Sequence, residues 1–147
     1  IKLINAFIRD GYRVGVIKHD GHEYTMDQEG TDTYRFTEAG AQISAIYSGT
    51  QSSVNRKGKV TAEDMIAACG NVDVLILEGL KDSAYPKVEV VRRAVSEHTV
   101  CATEHLIAVA TDVVTQDAVN CPVYDMNDIA GIYACILVYF GISGRLR

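Results

Sequence analysis

Apolar positions recur along this chain in two rhythms, one helical and one extended. Ile1, Leu3, Ile4, Phe7 and Ile8 share a helical face and Gly11 is a natural stop, so a helix is expected over Ile1 to Asp10. Val14, Val16 and Ile17 form a β-branched run without a polar break, expected as a strand from Arg13 to Lys18 covered on both faces. A short helix should open at Gly30, Thr31 and Asp32, with Thr31 or Asp32 as its cap, and end at Gly40. Ile43, Ala45 and Tyr47 alternate, which predicts a half-exposed strand over Gln42 to Tyr47, followed by a loop from Ser48 to Lys59.

The second half repeats the alternation of elements. Thr61 to Asp64 has capping-box spacing and should start a helix ending at Gly70. Val72 to Leu77 is the run expected to be most deeply buried. Val88 to Val91 should be an edge strand because Pro86 precedes it, and Leu106 to Ala110 a buried one. Val123 and Tyr124 give a last short strand, and Asn127 or Asp128 caps a final helix to Phe140. Strands alternating with helices predict an α/β fold with a mainly parallel sheet and helices on both faces, in a single domain over 1–147.

That architecture gives the polar residues at strand ends a meaning, because open α/β sheets bind ligands outside the carboxyl ends of their strands. The first strand releases Lys18, His19, Asp20, His22 and Glu23 around Gly21; the run after Val72 delivers Glu78 and Gly79; Leu106 to Ala110 ends in Thr111 and Asp112. A lone carboxylate in such a place more often caps a helix or faces water. Recurrence of Asp20, Glu78 and Asp112 at one edge favours a site. Mg²⁺ takes oxygen ligands, commonly one or two carboxylates with water and phosphate. Glu78 is its first candidate; Asp20 is placed to share the ion or orient a water, and Lys18 to meet phosphate. Asp112 suits a purine with adjacent N–H donors, as guanine has.

Composition narrows the partners. At 147 residues and 48% hydrophobic the chain can bury a sizeable core, and a net charge of −5 with pI near 5.3 argues against general nucleic-acid or membrane-surface binding. Cys69, Cys101, Cys121 and Cys135 form no C-x-x-C pair and are expected as buried thiols in a reducing cytoplasm. The longest apolar stretch, Ile129 to Phe140, is too short to span a bilayer, which needs about 20 residues. Ile1 opens a helix with no capping residue before it, so further sequence is expected to precede it.

G-Y-R-V-G-V-I-K-H-D-G-H from Gly11, D-Q-E-G-T-D-T-Y-R-F-T-E-A-G-A from Asp27, D-V-L-I-L-E-G-L-K from Asp73 and P-K-V-E-V-V-R from Pro86 together resemble the molybdopterin-guanine dinucleotide biosynthesis protein B family, MobB. The resemblance runs from residue 1 to about Phe140. It implies a P-loop NTPase-like three-layer fold, GTP and Mg²⁺ binding with slow hydrolysis, a homodimer, and assistance to the guanylyltransferase that joins GMP to molybdopterin, with pterin itself a further possible ligand. It places Lys18, His19 and Asp20 near the nucleotide phosphates and Gly79, Leu80 and Lys81 beside Glu78 at the metal-side strand end, with Asp32 and Arg35 bordering the pocket. Asp32 as a plain helix cap, and Arg35 as a partner of Glu38 on its own helix, are the structural alternatives.

The chain departs from that pattern in two respects. G-x-x-x-x-G-K-[ST], whose backbone N–H groups and Lys cradle phosphates, would lie immediately before Ile1, so the N-terminal strand and phosphate loop are missing from this sequence. Gly21, Glu29 and Thr31 replace residues common in the family's loop, which puts a pterin contact there in doubt. Two other classes stay open. His19-x-x-His22 with Asp20 or Glu23 offers zinc ligands, and an acidic pocket of Asp20 and Glu78 suits a phosphorylation-responsive regulatory domain.

Overall fold

The structure is a computed structural model that describes residues 1–22, 24–113 and 119–142, so Glu23 of the proposed polar cluster lies outside the described residues. Contacts gather the chain into two compact units, Ile1–His19 with Asn71–Arg147, and Asp20–Gly70.

In the first unit, α1 (Lys2–Arg9) turns Ala6 and Phe7 inward with Leu3 and Ile4 half-buried, while Ile1 and Ile8 of the expected stripe are exposed, and it ends where Gly11 takes a φ of 83°. Phe7 is the centre of its core. Its ring meets Tyr12 edge-on at 5.9 Å and Tyr133 at 4.8 Å, with Ala6 beside them and Val14, Val74 and Ile76 packed against the cluster. β1 (Val14–Lys18) and β4 (Val74–Glu78) pair in parallel, register running from Val14↔Val74 to Lys18↔Glu78. Asp73 helps fix that register: its carboxylate accepts the Arg13 backbone N–H at 2.8 Å and both guanidinium donors at 3.1 Å.

A second parallel group orders β5 (Lys87–Val91), β6 (Leu106–Thr111) and β7 (Val123–Asp125), so β5 is an edge of it as Pro86 predicted. Glu89 is buried on β5, where its carboxylate accepts the N–H groups of Val100 and Cys101 at 2.6 and 3.2 Å. Two part-buried backbone bonds satisfy an acid that an apolar strand would otherwise reject. The last helix, α4 (Ile129–Tyr139), is capped by Asp128, whose Oδ1 accepts the Gly131 N–H at 2.9 Å, and packs on α1 and β6.

The second unit holds α2 (Asp32–Glu38), a hairpin of β2 (Ile43–Tyr47) and β3 (Ser52–Arg56), and α3 (Ala62–Ala68). Thr31 is the α2 cap, its Oγ1 accepting from the Tyr34 N–H, and Asp32 follows as the first helical residue. The capping box at α3 forms as predicted, Thr61 and Asp64 exchanging side-chain and backbone bonds.

Several expectations are corrected. The segment Ser48 to Lys59 is not all loop, because β3 lies within it and pairs antiparallel with β2. The alternation in β2 has the opposite sense to a buried apolar face: Ser44 is covered, sharing a hydrogen bond with Thr37 at 3.1 Å, while Ile43 and Tyr47 face outward. Strand β1 is not covered on both sides, since Ile17 is buried but Val16 is exposed. The most buried strand is β6, inward at every residue, rather than β4, because β6 has a ladder on each edge. The four cysteines are free and half-buried rather than buried. Among the described residues no helix is long and apolar enough to cross a membrane.

Candidate functional site

Parallel register decides which side chains meet at the end of β1 and β4. Paired residues project to the same face, so Lys18 and Glu78 emerge together at the carboxyl edge, Nζ to Oε1 3.6 Å, both well exposed. Such a pair contributes little to stability in water. It does set a cation and a carboxylate side by side, a donor set for a phosphate and its counter-ion.

The backbone beyond is tightly folded. The His19 N–H donates to the Glu78 carbonyl at 2.9 Å, extending the ladder by one residue. Gly79 turns at φ 88°, and a Cβ there would lie 2.9 Å from the His19 carbonyl oxygen, so only glycine fits. Leu80 then holds φ 54°, the single non-glycine residue with positive φ among the described residues, and its carbonyl accepts the Ser83 N–H at 3.0 Å. A leucine in the left-handed region costs about 1 kcal/mol or more, and such strain collects at functional loops. Lys81 follows, exposed.

In the second unit, Asp20 uses Oδ1 to accept the His22 N–H at 3.2 Å, with His22 Nδ1 3.4 Å away. This is an Asx-type turn. Asp32 and Arg35 are exposed and 4.0 Å apart, so Arg35 pairs with Asp32 and not with Glu38. At the end of β6, Asp112 is exposed and its Oδ1 accepts the Arg93 backbone N–H at 2.8 Å. The structure thus brings Lys18, His19, Glu78, Gly79 and Leu80 together, and sets Asp112 on the separate parallel group of the same unit. Sequence reading missed the Arg93 donor and the buried Glu89. The first is a backbone group with no residue signature; the second sits inside the P-K-V-E-V-V-R motif as a charge in an apolar run, which was its available signal.

Among the described residues no group of three or more His, Cys, Asp or Glu side chains is placed to hold a metal ion. An ion content with one or two carboxylates, completing its shell with phosphate and water, fits what Glu78 offers.

The family model described as molybdopterin guanine dinucleotide synthesis protein B, MobB, matches residues 1–112. The chain belongs to this family. The molybdopterin-guanine dinucleotide biosynthesis adapter protein of Escherichia coli (strain K12) is 27% identical over 139 residues, spanning 89% of this chain and 78% of that protein. The Haemophilus influenzae adapter protein is 30% identical over 115 residues, 76% of this chain and 65% of its own length. The crystal structure of Bacillus subtilis MobB superposes with a TM-score of 0.73 at 22% identity, covering 97% of this chain and 88% of that one. The MobB homologue from Bacillus stearothermophilus superposes at 0.63 with 19% identity, covering 94% and 84%. These likenesses give the MobB fold, mixed α/β with mainly parallel sheets.

Proposed function

We propose that this MobB-family chain is an adapter in molybdopterin-guanine dinucleotide biosynthesis that binds GTP with Mg²⁺ and assists the guanylyltransferase joining GMP to molybdopterin. The relatives' names supply the pathway and the adapter role. The observation that supports the nucleotide is the in-register Lys18 and Glu78 at the carboxyl edge of β1 and β4. When bound, Mg²⁺ neutralises triphosphate charge and polarises its oxygens. Glu78, now 3.6 Å from Lys18, would hold the ion and Lys18 would meet phosphate charge, both at the strand end where the Gly79–Leu80 backbone turns. Asp20, next in the chain after His19, is the second acidic candidate, for the ion or for a water. Asp112 reads guanine through its N1–H and exocyclic amine. Hydrolysis, where it occurs, is slow, and the working unit is a cytoplasmic homodimer.

The test is calorimetric titration of the intact protein with GTP at fixed Mg²⁺. Glu78→Gln exchanges a charged oxygen ligand for a neutral one and should weaken Mg²⁺-dependent binding about tenfold or more. An unchanged Kd across a Mg²⁺ series takes Glu78 out of the site. Asp20→Asn is read in the same titration, and turnover of both variants by phosphate release.

A further inference from the structure

Asp112 is exposed at the end of β6, where an unrestrained carboxylate would rotate freely about its side-chain bonds. Among the described residues its restraint is a backbone donor from the neighbouring strand's exit: the Arg93 N–H meets Oδ1 at 2.8 Å. Arg93 is the second residue of a turn that follows β5 directly, in which the Arg92 carbonyl accepts the N–H groups of Val95 at 2.8 Å and Ser96 at 2.9 Å. The turn is therefore closed by its own bonds, and the Arg93 N–H is left over to point across to β6. Its guanidinium Nε lies 3.9 Å from Glu97 Oε1.

We propose that the Arg93 backbone N–H is a specificity-determining group: it presets the Asp112 carboxylate so that its remaining lone pairs accept the paired donors of a guanine edge. This rests on Asp112 being the guanine reader. A carboxylate has about four acceptor positions, so one bond from Arg93 leaves room for two from the base. Preorganisation matters because bidentate recognition has strict geometry, and a carboxylate already held loses less freedom on binding. Adenine presents no such donor pair, so the anchor favours guanine and leaves adenine nucleotides unaffected.

The turn itself supplies the test. Proline is accepted at the second position of a β-turn, and Arg93 holds that position directly after β5 and Arg92, so Arg93→Pro deletes the N–H and is expected to leave the turn closed. Arg93→Ala keeps the N–H and deletes the side chain. Titrating the intact protein with GTP, XTP and ATP at saturating Mg²⁺, we expect Arg93→Pro to lose about five- to tenfold in GTP affinity with ATP affinity unchanged, and Arg93→Ala to match the parent. Asp112→Asn should lower GTP and raise XTP binding, because xanthine offers an acceptor where guanine has its amine. If Asp112→Asn leaves the base preference alone, guanine is read elsewhere and the underlying reading fails. If Asp112→Asn alters it but Arg93→Pro does not, or if Arg93→Ala loses as much as Arg93→Pro, the anchor is overturned. Should the proline variant misfold, the α-hydroxy acid analogue of arginine at position 93, which replaces the N–H by an ester oxygen, gives the same reading without a ring.

Discussion

Tyr133 donates its hydroxyl to Asp10 Oδ2 at 2.8 Å, tying α4 to the end of α1 above the Phe7 cluster. Burial, with the Asp10 carboxylate second, pushes the Tyr133 phenol up to about 12, and the same bond holds Asp10 below the usual carboxylate range. The two signs give opposite limbs. The raised phenol stabilises the fold below its ordinary value near 10, and that stabilisation disappears as pH climbs through about 12. The lowered Asp10 stabilises the fold above the ordinary carboxylate value and stops doing so as pH falls through its folded one. Tyr133→Phe should lower Tm at neutral pH by about 3 °C and flatten both limbs, read from thermal melts across pH. Strain at Leu80 gives a second residue-level expectation: Leu80→Gly relieves the positive φ and should leave Tm equal or slightly higher while the loop after Glu78 loosens. At this scale the sequence named the side chains but not their company. Lys18 and Glu78 were legible as strand-end residues, whereas the Arg93 bond to Asp112 was not, since every non-proline residue carries the same N–H.

Elements were most legible where side chains themselves close a helix. The capping box of α3 is written in Thr61 and Asp64 and forms as written, so Thr61→Ala should cost about 1 kcal/mol, measured by urea unfolding against the parent. Elements created by a neighbour were not. β3 reads S-S-V-N-R, with a single apolar residue and every position exposed; it is a strand because β2 pairs with it across the turn closed by the Ser48 N–H and the Gln51 carbonyl at 2.8 Å. The sense of β2 escaped for a related reason. Period-two alternation says that one face differs from the other but not which is covered, and α2 covers the Ser44 face. The ranking of β4 over β6 failed because hydropathy runs are similar in the two strands, and depth is set by how many strands flank each.

At the scale of the chain, alternating strands and helices were enough for the α/β class, and the motif set was enough for the family. The gathering of contacts into two units was not visible, because Asp20–Gly70 carries the same helix and strand rhythms as the rest. One face of its hairpin carries Ile43, Ala45, Tyr47 and Val54, with Tyr47 84% and Val54 66% exposed. An isolated two-stranded hairpin is marginal in water, and contiguous exposed apolar surface marks an interaction site. We expect the proposed homodimer to cover this face: sedimentation velocity should give a dimer, and Tyr47→Glu with Val54→Glu a monomer of unchanged helix content. A parent that sediments as a monomer at high concentration removes the homodimer.

β6 has a ladder on either side and is dry along its whole length, so its amides should be the last to take up deuterium. Asp112 follows directly on this strand, which is buried at every residue. With Asp112 as the proposed guanine reader, discrimination among bases should survive warming that already frays the helix ends.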